Sequence, residues 1–216
     1  YMTASKFTSV DMDVIRPAVL NTLRMYRTKF VAEFGELILC CDDRKTWRKE
    51  IFPNYKASRK KTRAATSIDW DNLYECLNVL KEELTEWFPY KLVQVEKAEA
   101  DDIIAILVGL INERNLILSS DKDFVQLHGF NVRQYSPMQK KFVEGDAKWN
   151  LHEKIIKGDV GDGVPNIMSD DNVFIDEGRR QKPITKKKVD AWYELDPDMY
   201  CSSEMLRNYN RNKQLV

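Results

Sequence analysis

Apolar residues recur along the first two thirds of the chain in two alternating patterns, one with helical spacing and one of short continuous runs. Between Met12 and Phe30 the apolar positions lie three to four residues apart, which predicts an amphipathic helix. The run Leu37–Cys41 has the pattern of a buried parallel strand. The same criteria predict helices at Asp69–Trp87 and Ala98–Leu110, and strands at Lys91–Val95, Leu116–Ser119, Val132–Tyr135 and Lys141–Val143. The alternation favours an α/β fold, a parallel sheet covered by helices.

The pattern changes after about residue 147. A turn rich in glycine and aspartate, Gly158–Pro165, is followed by basic segments with helical spacing at Lys186–Leu195 and Glu204–Lys213. We therefore predict two domains, an α/β core over residues 1–146 and a smaller helical region over residues 147–216.

The composition is that of an ordinary soluble protein, with 43% hydrophobic residues, 31% charged residues and no net charge. No apolar run approaches the roughly 20 residues that span a bilayer, so no membrane association is expected. The four cysteines lack Cys-x-x-Cys spacing and there are only two histidines, which argues against a zinc site or a disulfide framework. Reduced thiols fit a cytoplasmic protein.

Charge is nevertheless segregated along the chain. Between Arg44 and Arg63 nearly every charged residue is basic, and Glu50 is the exception. The acids gather in short clusters, most of them later in the sequence. This segregation suits a protein that binds a polyanion with one surface and cations with another.

The acidic clusters are the candidate chemistry of the sequence. Asp42 and Asp43 directly follow one predicted strand, and Asp121 and Asp123 follow another. Strand ends of an α/β sheet border one crevice, where ligands bind. Further acids stand at a predicted helix start and in the glycine-rich turn: Glu99, Asp101, Asp102, Asp159 and Asp162. Oxygen ligands suit Mg²⁺, or Mn²⁺ in its place, and two such ions about 3.5–4 Å apart can cleave a phosphodiester.

Each acidic motif also has a structural interpretation. Aspartate is common in turns after strands, acids at a helix start complement the helix dipole, and the glycine-rich segment can be an ordinary loop. These alternatives stay open for each motif taken singly. Their occurrence together, at predicted strand ends and beside a basic segment, favours a metal site.

Three segments resemble, in order, motifs of the structure-specific 5′ nucleases, the family of the flap endonucleases. They are Glu-Ala-Asp-Asp at 99–102, Ser-Ser-Asp-Lys-Asp-Phe at 119–124 and Lys-Gly-Asp-Val-Gly-Asp at 157–162. The resemblance runs from about Thr3 to Val216 and is greatest to the phage ribonucleases H within the family. It implies a 5′-to-3′ exonuclease and flap endonuclease that removes RNA primers and flaps during DNA replication and repair.

The resemblance also implies the roles of individual acids. For a first metal ion, the ligands would be Asp42, Glu99, Asp101 and Asp121. For a second metal ion, they would be Asp123 and Asp162. Asp102 and Asp159 would support these ligands rather than bind metal. The family's first strand, which ends in a further metal-binding aspartate, would precede Tyr1, so we expect this chain to begin after it and to be one ligand short. We also expect the C-terminal region to be truncated.

The basic segment over about 44–66 resembles the family's gateway for single-stranded nucleic acid. By this resemblance Lys56 would act as an electrophile on the scissile phosphate, and Arg59 would help to hold it. Tyr55 would stack on an unpaired base, with packing on the sheet as the alternative. Further contacts with nucleic acid are expected from Arg48, Lys60, Lys157, Gly161 and Gly163.

The turn Asp159–Pro165 resembles the family's helix–three-turn–helix, in which backbone groups and a K⁺ ion bind duplex phosphate. Gly163 and Asn166 replace an asparagine and a glycine of the usual motif, which puts K⁺ binding in question. Expected substrates are branched or flapped DNA and RNA–DNA hybrid. A sliding clamp or single-strand-binding protein is the expected partner of a monomeric protein in the host cytoplasm.

Three other functions compete with the nuclease. A catalytically inactive binder of forked DNA would share the basic segment but give no product. An RNA-cleaving toxin-like domain of related sheet architecture would end before the region after Lys148. A phosphatase with an aspartyl nucleophile is disfavoured, because Asp42-Asp43-Arg44 lacks the required Asp-x-Asp.

Overall fold

The computed structural model describes residues 11–59, 63, 65–129 and 131–216. These residues form two compact units, each drawn from separate stretches of chain. The first unit comprises described residues of 11–45, 66–121 and 129–143, and the second those of 46–65, 122–128 and 144–216. Lys60, predicted to contact nucleic acid, lies outside the described residues.

The elements follow the predicted alternation of helix and strand. The α-helices are α1 Met12–Phe34, α2 Arg48–Ile51, α3 Trp70–Trp87, α4 Ala100–Leu110, α5 Ala147–Lys157, α6 Lys186–Trp192 and α7 Ser203–Leu215. The strands are β1 Ile38–Cys41, β2 Lys91–Gln94, β3 Asn115–Leu118, β4 Val132–Ser136 and β5 Lys141–Val143. Short 3₁₀ helices occur at Lys122–Leu127 and Pro197–Met199.

The strands of the first unit form two small sheets. β1 pairs with β2 in parallel, and β3 pairs with β4 in parallel, as the sequence predicts. β5 lies beyond the helix–strand alternation, up to about Leu127, that favours the parallel sheet, and it runs antiparallel to β4. Only four residues connect these two strands, and so short a connection permits a hairpin but no parallel crossover.

The core of the first unit lies between α1 and α3. Ile15 of α1 packs with Cys76, Leu80 and Leu84, which recur at every fourth residue of α3. This spacing places the three side chains on one face of the helix, so α3 buries a continuous apolar stripe. A second cluster surrounds Phe30, where aromatic rings from α1, β4 and β5 meet.

The second unit has its own core. Ile156, Ile167 and Val189 are fully buried, and they join α5, the turn after it and α6. A smaller cluster contains Phe52, Tyr55, Val164 and Leu215. In the part of the chain that the structure describes, no helix is long and apolar enough to cross a membrane.

Candidate active site

The carboxyl end of β1 meets the amino end of α4. Asp42 follows β1, and its Oδ1 accepts a hydrogen bond of 2.7 Å from the backbone N–H of Ala100. The neighbouring Asp43 accepts from the backbone N–H of Lys97 at 2.9 Å and donates its own N–H to the carbonyl of Ala98. Backbone N–H donors, that of Lys97 first and then those of Arg44 and Lys45, lower the pKa of Asp43. The fold thus brings an acid after β1 to a helix start 58 residues away.

The start of α4 carries the second acidic motif. Glu99 is the N-cap and is only 9% exposed. Its backbone N–H donates to Asp102 Oδ2 at 2.9 Å, forming a capping box. This contact gives Asp102 a structural role, while the adjacent Asp101 is exposed. Asp42, Glu99 and Asp101 therefore stand at one junction of strand and helix.

Asp121 follows β3, in the other sheet of the first unit. Its backbone is fixed on both sides, because its N–H donates to Ser119 Oγ at 3.1 Å and its carbonyl accepts from Gln134 Nε2 at 2.6 Å. Gln134 is almost fully buried. The sequence analysis did not identify Gln134, since a single glutamine in a strand gives no signal of such a role.

The carboxylates supply the oxygen donors that a divalent cation prefers. Nevertheless, within residues 11–59, 63, 65–129 and 131–216 no three His, Cys, Asp or Glu side chains form a group that could hold a metal ion. The structure therefore assembles the predicted first metal site only in part. It joins the end of β1 to the start of α4, and it leaves Asp121 at the end of β3.

In the second unit, Lys154 of α5 pairs with two acids. Its Nζ lies 2.7 Å from Asp123 Oδ1 and also contacts Asp159 Oδ2. Burial lowers the pKa of Lys154, but its hydrogen bonds with the two carboxylates outweigh this and leave the pKa raised. Burial by itself would raise the pKa of Asp159. The hydrogen bond and charge of Lys154 outweigh burial, so the pKa of Asp159 is lowered. A lysine thus stands where Asp123 was predicted to bind metal, and sequence analysis missed it.

Asp162, in the glycine-rich turn, gathers three side chains from the basic segment. Its Oδ2 accepts from the hydroxyl of Tyr55 at 2.7 Å, and its Oδ1 accepts from Arg59 Nη2. Lys56 Nζ lies 3.6 Å from the same carboxylate, and the backbone N–H of Lys56 donates to the carbonyl of Asp162. The structure therefore brings Lys56 and Arg59 together at the carboxylate of Asp162, and their contact with a scissile phosphate stays a prediction.

Tyr55 occupies a different environment from the one expected of a stacking residue. It is 2% exposed, and its ring packs with Phe52, Val164 and Leu215. A ring this buried cannot stack on a base, so the packing alternative applies, although not against a sheet. Arg48 also has an internal contact, since its Nε donates to the carbonyl of Leu215 at 2.8 Å.

The glycine-rich turn is closed by its own backbone. Asp159 and Val164 exchange N–H···O bonds of 2.8 and 2.7 Å. Gly158 has a φ of 66°, and a Cβ there would lie 2.3 Å from the carbonyl oxygen of Val164. Gly163 also has a positive φ, of 72°, which glycine adopts without strain. Lys157, at the end of α5, pairs with Glu153 one turn earlier.

A bound K⁺ ion would need carbonyl oxygens from this turn. Those of Asp159, Val160 and Val164 accept backbone hydrogen bonds within it, and that of Asp162 accepts from Lys56. The carbonyl of Gly161 accepts from Arg59 Nε at 3.3 Å. Each of these carbonyls already accepts one protein donor and keeps a second lone pair, so K⁺ binding at this turn stays a prediction.

The acids at the strand–helix junction and the basic segment bonded to the glycine-rich turn are features that the nuclease hypothesis predicts. The chain belongs to the family described as 5′-3′ exonuclease, N-terminal resolvase-like domain, whose model matches residues 6–155. The predicted membership in the flap nuclease family is thereby confirmed.

Two relatives and one solved structure illustrate the similarity. The ribonuclease H of Enterobacteria phage T4 is 34% identical over 195 residues, which cover 84% of this chain and 64% of that protein. Flap endonuclease Xni of Shewanella baltica is 27% identical over 168 residues, or 71% of this chain and 58% of that protein. This chain thus spans somewhat under two thirds of their lengths.

The fold is similar to that of the bacteriophage T5 flap endonuclease crystallised with DNA and metal ions. The TM-score is 0.66 at 19% identity, over 95% of this chain and 82% of that one. The predicted α/β nuclease fold is confirmed by this likeness.

Proposed function

We propose that this protein is a structure-specific 5′ nuclease that hydrolyses phosphodiesters of RNA primers and flaps in DNA replication and repair. It acts as a 5′-to-3′ exonuclease and flap endonuclease on flapped or branched DNA and on RNA–DNA hybrid. Family membership supports the reaction class. The names of the relatives, ribonuclease H and flap endonuclease, and the DNA complex of the T5 enzyme support the substrate class.

The observation that carries this proposal is the contact between Asp42 and the amino end of α4. Through it two acidic motifs far apart in sequence are joined, because Asp42 accepts from the backbone of Ala100, the residue between Glu99 and Asp101. Carboxylates held close together repel one another, so a group of this kind is favoured where it binds a cation. The amino end of a helix favours negative charge, but this effect alone does not explain three acids at one junction.

A divalent ion, Mg²⁺ with Mn²⁺ as substitute, would be held by Asp42, Glu99 and Asp101 with Asp121. Such an ion activates water and stabilises the charge of the leaving oxygen. The proposal of a second ion at Asp123 and Asp162 requires these acids to exchange Lys154, Lys56 and Arg59 for metal. The described residues do not already form a metal-binding group.

The basic segment is proposed to bind the substrate. Lys56 and Arg59 hold positive charge at Asp162, and both lie at least partly exposed, where a phosphate can displace the carboxylate. A guanidinium binds phosphate with paired hydrogen bonds and an ammonium acts as a point charge. Lys157, with Gly161 and Gly163 of the turn, is proposed to contact duplex phosphates, as part of a helix–three-turn–helix-like motif. A sliding clamp or single-strand-binding protein remains a prediction.

The second candidate is a binder of forked DNA without catalysis. It is favoured by one observation, the pairing of Asp123 and Asp162 with basic side chains of the protein itself. Acids neutralised in this way stabilise the fold and need not take part in chemistry.

Three labelled substrates distinguish these functions. We expect the protein with Mg²⁺ to release product from a 5′-labelled flap, a nicked duplex and an RNA–DNA hybrid, and chelation of the metal to stop all three reactions. A protein that binds the flap in a salt-dependent manner, yet gives no product with Mg²⁺ or Mn²⁺, is the inactive binder. Cleavage of free RNA in place of these substrates would indicate the toxin-like domain.

A further inference from the structure

Two buried asparagines lie one turn apart on α7. Asn208 and Asn212 are 1% and 0% exposed. A primary amide buried without partners destabilises the folded state, so each must have a reason to be inside. Packing alone does not explain them. Leucine at either position would continue the buried face of the helix that ends in Leu215.

Each amide nitrogen donates to two main-chain carbonyls of a single segment. Asn208 Nδ2 donates to Ile167 at 3.0 Å and to Ser169 at 3.2 Å. Asn212 Nδ2 donates to Ile155 at 2.8 Å and to Pro165 at 2.9 Å. The four acceptors span the last turn of α5 and the turns that follow the glycine-rich segment.

These carbonyls are ones that regular secondary structure leaves without a partner. Ile155 lies in the last turn of α5, where carbonyls have no intrahelical donor. Pro165, Ile167 and Ser169 lie in turns, outside any helix or strand. The two asparagines therefore supply donors that the backbone of this segment cannot supply for itself.

The amide oxygens are engaged as well, by arginines of the same helix. Arg211 donates to Asn212 Oδ1 at 3.0 and 2.8 Å, and Arg207 donates to Asn208 Oδ1 at 2.8 Å. Both guanidiniums also contact Asp171, two residues after Ser169, the last of the four acceptors. A buried polar network satisfied at every member favours one arrangement of the atoms it connects.

We infer that Asn208 and Asn212 are positioning residues, which fix the glycine-rich turn for contact with duplex nucleic acid. This inference rests on the proposed function, because it takes the turn to be a substrate contact. Asn212 touches the backbone at Pro165, next to Val164, whose N–H and carbonyl close the turn, and Asn208 holds the backbone just after it, at Ile167 and Ser169. Without these donors the turn is held less firmly, by its own backbone bonds and by Arg211 at Pro165, and a phosphate must order it on binding. Binding is then weaker, while the reaction of bound substrate is unchanged.

The test compares Asn208→Ala and Asn212→Ala with Asn210→Ala, which removes an exposed asparagine from the same helix. Asn212→Asp is added because it keeps the size of the side chain while it replaces the N–H donors with a carboxylate oxygen and its negative charge. We expect the KM for a flapped duplex to rise by about tenfold in the first two variants and in Asn212→Asp. The kcat at saturating substrate should stay within about twofold, and Asn210→Ala should match the wild type.

Hydrogen exchange of residues 158–169 gives a readout independent of activity. It should be faster in the variants of Asn208 and Asn212 and unchanged in Asn210→Ala. Faster exchange with unchanged KM would overturn the positioning role. Unchanged exchange would show that the asparagines do not hold this segment. A loss confined to kcat would also contradict the inference. If the wild type neither binds nor cleaves flapped duplex, the proposed function fails. Hydrogen exchange can still show, in that case, that the two asparagines hold the segment.

Discussion

At the scale of single residues, the second unit pairs its acids with its own basic side chains. Lys154 holds Asp123 and Asp159, and Arg59 with Lys56 holds Asp162. Sequence motifs identified the acids and two of the bases. Lys154 was not identified, because its role depends on the packing of α5 against the 3₁₀ helix that carries Asp123, and no local pattern encodes that contact.

Replacement of Lys154 by methionine leaves two carboxylates without their cation. We expect the free energy of unfolding to fall by roughly 1–3 kcal/mol, since both acids are partly shielded from water. Urea denaturation measures this change. Lys148→Met, which alters an exposed lysine of the same helix, should be nearly neutral.

Magnesium gives the Lys154→Met experiment a second readout. If the freed carboxylates can take a divalent ion, millimolar Mg²⁺ should restore part of the lost stability in this variant and have no such effect on Lys148→Met. A variant as stable as the control would contradict the structural importance of the pairing.

At the scale of elements, the hydrophobic pattern predicted every strand and the larger helices of the first unit. The end of α1 was placed at Phe30, whereas the helix continues to Phe34 and stops at Gly35, with a φ of 79°. The extra turn packs Phe34 against Phe30 with ring centroids 6.3 Å apart. The two rings lie four residues apart on the same helix, and Gly35, with its positive φ, ends the helix one residue later. The antiparallel pairing of β5 follows from the length of its connection.

The capping box of α4 gives Asp102 a structural role that the adjacent Asp101 does not share. Asp102→Ala removes the acceptor of the Glu99 N–H, and we expect a loss of about 1 kcal/mol in unfolding free energy. Asp101→Ala, at an exposed position beside it, should cost less stability and should abolish cleavage. Thermal or urea denaturation together with a flap assay distinguishes the two variants. Equal losses of stability would show that the cap does not define the role of Asp102.

At the scale of the whole molecule, the change in composition near residue 147 lies close to residue 144, where the chain last enters the second unit. Composition gave no sign that residues 46–65 and 122–128 belong to that unit too. They are tied to it by contacts between residues far apart in sequence, such as that of Tyr55 with Asp162. The family could be predicted, because its motifs are short and local.

The central claim is that the acids at the junction of β1 and α4 serve phosphodiester hydrolysis. Cleavage of a 5′-labelled flap by Asp101→Asn with Mg²⁺, measured beside flap binding at low salt, tests this claim most directly. Asparagine keeps the shape of the side chain and removes its charge. We expect binding close to that of the wild type and no detectable cleavage. Cleavage at the wild-type rate would contradict the assignment.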